Sequence, residues 1–461
     1  MRKRYPSVAE PLRGVNGGRR TSAPALASHV VTRPAASALP DPLPIRPRGP
    51  LRATVRVPGS KSLTNRALVA AALASGASEL EGGLESDDTR VMLAALRALG
   101  CRIDAGSGAW RVAGLAGKLA SPAAPLDAGS SGTTARFLTA AACLADGPVV
   151  IDGSPRMRER PIQDLVDALA ALGARVRVVG RAGCPPVRVE GGGLRGGRAE
   201  IDASRSSQFV SAVLLAAPCA RDGVELAFRD GRLVSRPYVE LTLELMRAFG
   251  ADAAWTPEGG LRVAPGHAYR GRRYAIEPDA SAAVYPLCAA AIAGGSARVE
   301  GFPRASIQAD LALLPILERM GCRVARDADA LEVAAPAEGL RGVDVDMNAL
   351  PDAALALAVV ALFARGPTRI RNVANLRIKE TDRLAALEQE LRKLGASASA
   401  GSDFLEIVPG PPRPATIATY DDHRMAMAFA LAGLRIPGVA IADPGCVAKT
   451  WPGYFALLET L

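Results

Sequence analysis

A chain of 461 residues, 49% hydrophobic and 22% charged, has the composition of a globular protein too long for a single core, so two or three domains are expected. The net charge of +10 is concentrated in residues 1–50, where nine Lys/Arg face two Asp/Glu; the other 411 residues carry only +3. With 4% aromatics as well, the folded body lacks the basic, base-stacking surface of a nucleic-acid binder, and no nucleic-acid partner is expected. The longest apolar runs, such as residues 353–364, fall short of the roughly 20 residues of a membrane-spanning helix, so no membrane partner is expected either.

The seven cysteines form no CxxC pair, which reads as buried free thiols in a reducing compartment. Three scattered histidines make no metal site, and neither metal nor cofactor is expected. Cation usage is one-sided: of 56 basic residues only six are lysines, so Lys61, Lys379 and Lys449, each inside a dense polar motif, mark places that need a compact ammonium.

In chain order, residues 1–43 are rich in Arg, Ala, Pro and Ser without an apolar period and read as a basic, disordered extension. A cytoplasmic location is expected, with a plastid as the alternative if that extension is a transit peptide. From Pro44 the chain repeats itself. A helix tail, a glycine cap and a strand-like stretch recur at Gly100, Gly173, Gly250, Gly321 and Gly395, spaced by 73, 77, 71 and 74 residues. A sixth helix is predicted at the C-terminus. Six copies of one α/β unit therefore fill residues 44–461. In most units one helix is apolar nearly all round, as in 67–73, 135–144, 209–217, 280–293, 353–363 and 425–434, and must be buried on all sides. The other is amphipathic and is predicted to lie outside, under its strands; Leu384, Leu387, Leu391 and Leu394 form such a stripe.

The first turns of the apolar helices are crowded with anion-binding groups. These are PGSKSLTNR (58–66), GSSGTTAR (129–136), SPRMRERP (154–161), SRSSQF (204–209), SRPY (235–238), EPDAS (277–281), NALPDAA (348–354), NLRIKETDR (375–383), YDDHR (420–424) and PGCVAKTWP (444–452). A helix start offers unpaired N–H groups and positive dipole, and Lys or Arg adds charge-assisted hydrogen bonds. Ordinary surface capping explains any one motif but not Lys61, Arg66, Arg156, Arg158, Arg160, Lys379, Arg383, Arg424 and Lys449 together. If the buried helices converge, so do their starts, and the ligand is a polyanion. Gly59–Ser62 is not a Walker A loop, and His423 has no nucleophile signature beside it.

These motifs, in this order over nearly all of residues 44–461, closely resemble the 5-enolpyruvylshikimate-3-phosphate (EPSP) synthase family of enolpyruvyl transferases. The resemblance implies an α/β fold: a two-domain inside-out α/β barrel, each domain three βαβαββ-type repeats. Residues 44–59 plus 277–461 would form one domain and 60–276 the other, with the active site in the cleft between them. It implies transfer of the enolpyruvyl group of phosphoenolpyruvate (PEP) to the 5-hydroxyl of shikimate 3-phosphate by a monomeric enzyme. Shikimate 3-phosphate would meet Lys61, Ser62, Arg66, Ser206, Ser207, Gln208, Ser235, Tyr238, Asp352, Asn375 and Lys379. PEP would meet Lys61, Gly132, Arg160, Gln208, Arg383, Arg424 and Lys449. Asp352 is expected to take the hydroxyl proton, with Lys61 and Glu380 handling protons at PEP.

The sequence departs from the family pattern in three places. Ser130 replaces an Asn beside Gly132, Phe137 stands where many relatives have Pro, and Asp421 replaces an Asn before Asp422. Losing the Asn amide would weaken a contact to the PEP pocket. Two alternatives remain: UDP-N-acetylglucosamine enolpyruvyl transferase, whose reactive loop cysteine has no counterpart in 156–161, and a non-catalytic polyanion-binding protein driven by the basic extension.

Overall fold

The computed structural model describes residues 39–461 except Ser107 and His267. Among the described residues, seven small sheets and twelve α-helices follow one plan. Helices α1 (Lys61–Leu73) and α2 (Asp87–Ala98) belong to the first unit, α3 (Gly132–Ala141) and α4 (Gln163–Ala171) to the second, and α5 (Ser207–Ala216) and α6 (Arg236–Ala248) to the third. Helices α7 (Ala280–Ala293) and α8 (Leu313–Arg319), α9 (Ala354–Ala361) and α10 (Arg383–Lys393), and α11 (His423–Gly433) and α12 (Tyr454–Thr460) complete units four to six. The repeat is therefore real, and the predicted sixth helix is α12.

The second unit shows the βαβαββ order plainly. Strand Leu126–Asp127 pairs parallel with Val149–Asp152, which pairs antiparallel with Val187–Val189, and Val176–Val178 forms the far edge. Units one and four exchange their first strands. Leu51–Val55, which precedes α1, pairs with Gly295–Glu300 of unit four, while Arg273–Ala275, which precedes α7, pairs with Ala77–Glu81 of unit one. That exchange stitches the two halves together.

Each repeat turns at its glycine. Gly100, Gly173, Gly250, Gly321 and Gly395 all hold positive φ, from 89° to 102°, the left-handed conformation that ends a helix without a Cβ penalty. The helices that lack a polar face are interior: every residue of α3, α9 and α11 is buried, and all of α7 except Ser281. The second helices are amphipathic; α10 buries Leu384, Leu387 and Leu391. Sheets thus coat the outside of helices. Two hydrophobic cores result, one from Leu63 to Ile276 and one joining Leu43–Val57 to Ala280–Leu458.

Residues 43–44 correct one expectation. They form a strand against Ile441 and Ala440, and Leu43 is buried, so the last residues assigned to the basic extension belong to the folded body. The rest of that extension, residues 1–38, lies outside the described residues. No helix among the described residues is long and apolar enough to cross a membrane.

Candidate active site

Side-chain caps fix the starts of the inner helices. Ser60, Ser131, Ser206, Asp279 and Asp422 each accept a backbone N–H in the first turn of α1, α3, α5, α7 and α11. Not every polar motif sits at an α-helix start, as the sequence suggested. Arg160 follows a short 3-10 turn (Met157–Glu159), Lys449 ends another (Pro444–Lys449), and Lys379 and Glu380 link a third (Ala374–Ile378) to α10. These turns deliver single side chains where a regular helix would have carried them round to another face.

Side chains carried by the helices of both cores line a cleft made of two adjoining pockets. One is lined by Lys61, Gly132, Arg160, Gln208, Asp352, Lys379, Glu380, Arg383 and Arg424, together with Asp88, Thr133 and His423. The other is lined by Lys61, Ser62, Arg66, Ser206, Ser207, Gln208, Ser235, Tyr238, Asp352, Asn375 and Lys379, together with Thr133 and Arg205. Lys449 reaches the first pocket's wall, where its Nζ lies 2.6 Å from Asp88 Oδ1, 2.7 Å from the Ser130 carbonyl and 3.8 Å from Glu380. The motif residues singled out by sequence converge, with two exceptions. Arg158 pairs with Asp152 on the surface at 2.6 Å, and Arg156 spans the cleft to donate to the carbonyls of Lys379 and Glu380.

Arg383 is the hub. Its guanidinium is 1% exposed and meets three carboxylates: Asp422 at 2.7 Å, Asp352 at 3.0 Å and Glu380 at 3.0 Å. Asp352 also meets Arg424 at 3.0 Å and Lys379 at 3.6 Å, and Glu380 meets Arg160 at 3.7 Å. Burial pushes the Asp352 carboxyl up, but Arg424, Lys379, Arg383 and Lys61 outweigh it and hold the pKa well below the usual carboxylate range. Glu380 is held low in the same way, its burial outweighed by Arg383, Arg160 and Lys449. Lys379 titrates below an ordinary lysine because burial exceeds the attraction of Asp352. His423 is kept neutral by burial first and by Arg424 second.

Six cations (Lys61, Arg160, Lys379, Arg383, Arg424, Lys449) meet four carboxylates (Asp88, Asp352, Glu380, Asp422), leaving two positive charges uncompensated. Polar atoms also lack partners here. Arg160 Nε, Gln208 Oε1, Asn375 Oδ1 and both His423 nitrogens are buried without a hydrogen bond, each at a cost of about 1–3 kcal/mol. Positive charge beside the unspent Arg160 and His423 donors suits an anion, and the free Gln208 and Asn375 carbonyl oxygens suit a hydroxyl-bearing one.

Two residues of the set are differently employed. Arg66, driven down to about 10 by burial, has its donors on Thr242, Ser211 and the carbonyls of Ser62 and Tyr238, and stacks 5.2 Å from the Phe137 ring. It braces the pocket wall. Tyr238 donates its hydroxyl across the cleft to Asp310 at 3.0 Å. A Cβ on Gly132 would lie 2.7 Å from Arg136 Nη1, 2.9 Å from Arg160 Nη2 and 3.1 Å from Gln208 Oε1, so a side chain there would force those side-chain ends to shift. Ser130 keeps its backbone carbonyl on Lys449 while its hydroxyl turns to Ser154 at 3.0 Å.

Sequence reasoning missed Asp88, Asp422 and the placement of His423. Asp88, an acid in the first turn of α2, is buried and shared by Lys61 at 3.3 Å and Lys449 at 2.6 Å. The available signal was the pair of isolated lysines, each needing a counter-ion.

Comparison with known proteins agrees along the whole folded body. The family model for EPSP synthase (3-phosphoshikimate 1-carboxyvinyltransferase) matches residues 45–458. A 3-phosphoshikimate 1-carboxyvinyltransferase of Thiobacillus denitrificans is 48% identical, with 87% of this chain and 95% of that protein covered. One of Yersinia pseudotuberculosis is 46% identical, with 90% and 97% covered. A solved EPSP synthase from Acinetobacter baumannii superposes with a TM-score of 0.74 at 27% identity, covering 90% of this chain and 97% of that one. The enolpyruvyl transferase NikO from Streptomyces tendae, at 22% identity and a TM-score of 0.74, over 92% and 98%, shares the fold. The chain belongs to the EPSP synthase (3-phosphoshikimate 1-carboxyvinyltransferase) family.

Proposed function

We propose that this enzyme transfers the enolpyruvyl group of PEP to the 5-hydroxyl of shikimate 3-phosphate, releasing phosphate, and that the two lobes (44–59 plus 277–461, and 60–276) act as domains closing on the substrates. The observation that carries the mechanism is Asp352, a partly buried carboxylate held ionised by Arg424, Arg383 and Lys379 where the two pockets meet. In the reading we favour, the hydroxyl- and amide-rich pocket (Ser62, Ser206, Ser207, Gln208, Ser235, Asn375) takes shikimate 3-phosphate, with Lys61 and Lys379 at its charged end. The other pocket takes PEP on Lys61, Gly132, Arg160, Gln208, Arg383, Arg424 and Lys449.

PEP arrives with phosphate and carboxylate charges that compete for the cations now on Asp352 and Glu380. As Arg424 and Arg383 turn to PEP, Asp352 loses its stabilising partners and becomes a stronger base beside the acceptor hydroxyl. It accepts the 5-hydroxyl proton as the oxygen attacks C2 of PEP, while Lys61 and Glu380 handle the proton delivered to C3. Loss of phosphate from the resulting tetrahedral intermediate, with a proton leaving C3, gives the enol ether. Closure excludes water from the reacting carbons.

Free thiols at all seven cysteines suit a reducing cytoplasm, which we take as the compartment, and a monomer as the working form. The test is phosphate release from PEP with shikimate 3-phosphate or UDP-N-acetylglucosamine as acceptor. Release with shikimate 3-phosphate alone is expected; release with the nucleotide sugar, or with neither, would overturn the reading.

A further inference from the structure

Beyond Arg383, the buried face of α10 consists of Leu384, Ala386, Leu387, Leu391 and one further charge, Glu390, which is fully buried. A carboxylate in a leucine stripe is costly unless it is paired and hydrogen-bonded. Lys393 meets both of its oxygens, at 2.8 and 2.7 Å, the Ala418 amide donates to Oε2 at 3.1 Å, and the Tyr420 hydroxyl donates to Oε1 at 2.6 Å. The last two partners lie in the link between strand Thr416–Ile417 and α11.

That link ends in the active site. Tyr420 and Asp421 hold left-handed φ values of 57° and 54°, a conformation that residues with side chains keep only where their surroundings fix it. Next comes Asp422, which grips Arg383 at the start of α10, and then Arg424, which lies on Asp352. Helix α10 therefore clamps the link twice, with Glu390 before the left-handed pair and Arg383 after it. We propose that Glu390, acting through the Tyr420 hydroxyl, is a positioning residue that sets Arg424 for PEP from outside the cleft. If Glu390 merely anchored α10 to the neighbouring strand, its loss would cost stability without singling out one substrate.

The proposal rests on the assignment of Arg424 to PEP, so the test carries Arg424→Lys alongside. Tyr420→Phe removes one hydroxyl from a partly exposed ring and spares the core. In the full-length enzyme it should raise the KM for PEP about fivefold, the scale of one ordinary hydrogen bond lost, and leave that for shikimate 3-phosphate within about twofold. Glu390→Gln should act in the same direction. In an Arg424→Lys background, Tyr420→Phe should add less than about twofold, because two changes acting through one contact do not add. The proposal is overturned if both KM values rise together, or if Arg424→Lys raises the KM for PEP and neither Tyr420→Phe nor Glu390→Gln does. An unchanged KM for PEP in Arg424→Lys would remove the assignment beneath it, and the proposal with it.

Discussion

Segments 60–276 and 277–461 contribute different mixtures of groups to one cleft. Residues 60–276 supply most of the hydroxyls, an amide and a glycine (Ser62, Ser206, Ser207, Gln208, Gly132), alongside five charged side chains, Lys61, Arg66, Asp88, Arg160 and Arg205. The lobe of residues 277–461 offers a lattice of Asp352, Lys379, Glu380, Arg383, Asp422, Arg424 and Lys449, tied together through Arg383. Neutral donors on rigid helix starts can receive a sugar-like acceptor without rearrangement. A charge lattice already satisfied by its own carboxylates must exchange partners when an anionic substrate enters. On the proposed mechanism the hydroxyl-rich side receives the acceptor, and the exchange of partners centres on Asp352, with Lys61 contributing from the opposite side.

The sharpest way to break this division is Asp352→Asn, which keeps size and removes the charge. It should lower kcat by about a thousandfold or more while calorimetry still detects shikimate 3-phosphate binding; turnover within tenfold of the parent would end the assignment. Arg383→Met should come next. It strands Asp422, Asp352 and Glu380 without their shared cation, so kcat/KM for PEP should fall about a hundredfold, with a lower Tm. On the other lobe, Gly132→Ala should push Arg160 and Gln208 apart and raise the KM for PEP about tenfold with little change in folding, measured by steady-state kinetics and thermal unfolding.

The smallest effect concerns stability. His423 is buried neutral, so below about pH 6.5 the unfolded chain takes up a proton that the folded one refuses, and stability falls as pH drops. Urea unfolding at pH 7.5 and 5.5 should show that loss, and His423→Gln should reduce it. An equal loss in both proteins would mean that His423 is protonated in the folded state.

Much of this arrangement was legible in the sequence. Glycines at near-constant spacing announced five helix ends because only a residue without a Cβ turns there cheaply, and helices such as 354–361 had no face to show solvent. The site was legible because isolated lysines and clustered arginines have no role on a purely apolar helix. What spacing could not convey was side-chain direction within a short turn. Arg156, Arg158 and Arg160 lie two residues apart in one motif, yet one bridges the lobes, one pairs on the surface and one enters the pocket. Counter-charges were hidden for the same reason. Nothing in the local sequence singles out Asp88 or Glu390, whose buried partners come from segments distant in the chain or from the next helical turn.

The most direct test of partner exchange at Asp352 compares two pH profiles, each corrected for the phosphate ionisations of the free substrates. The acidic limb of kcat/KM reports the base in the free enzyme, and that of kcat reports it with substrates bound. PEP drawing Arg424 and Arg383 away predicts a limb at higher pH in kcat than in kcat/KM. A limb at the same pH in both, or lower in kcat, would contradict it.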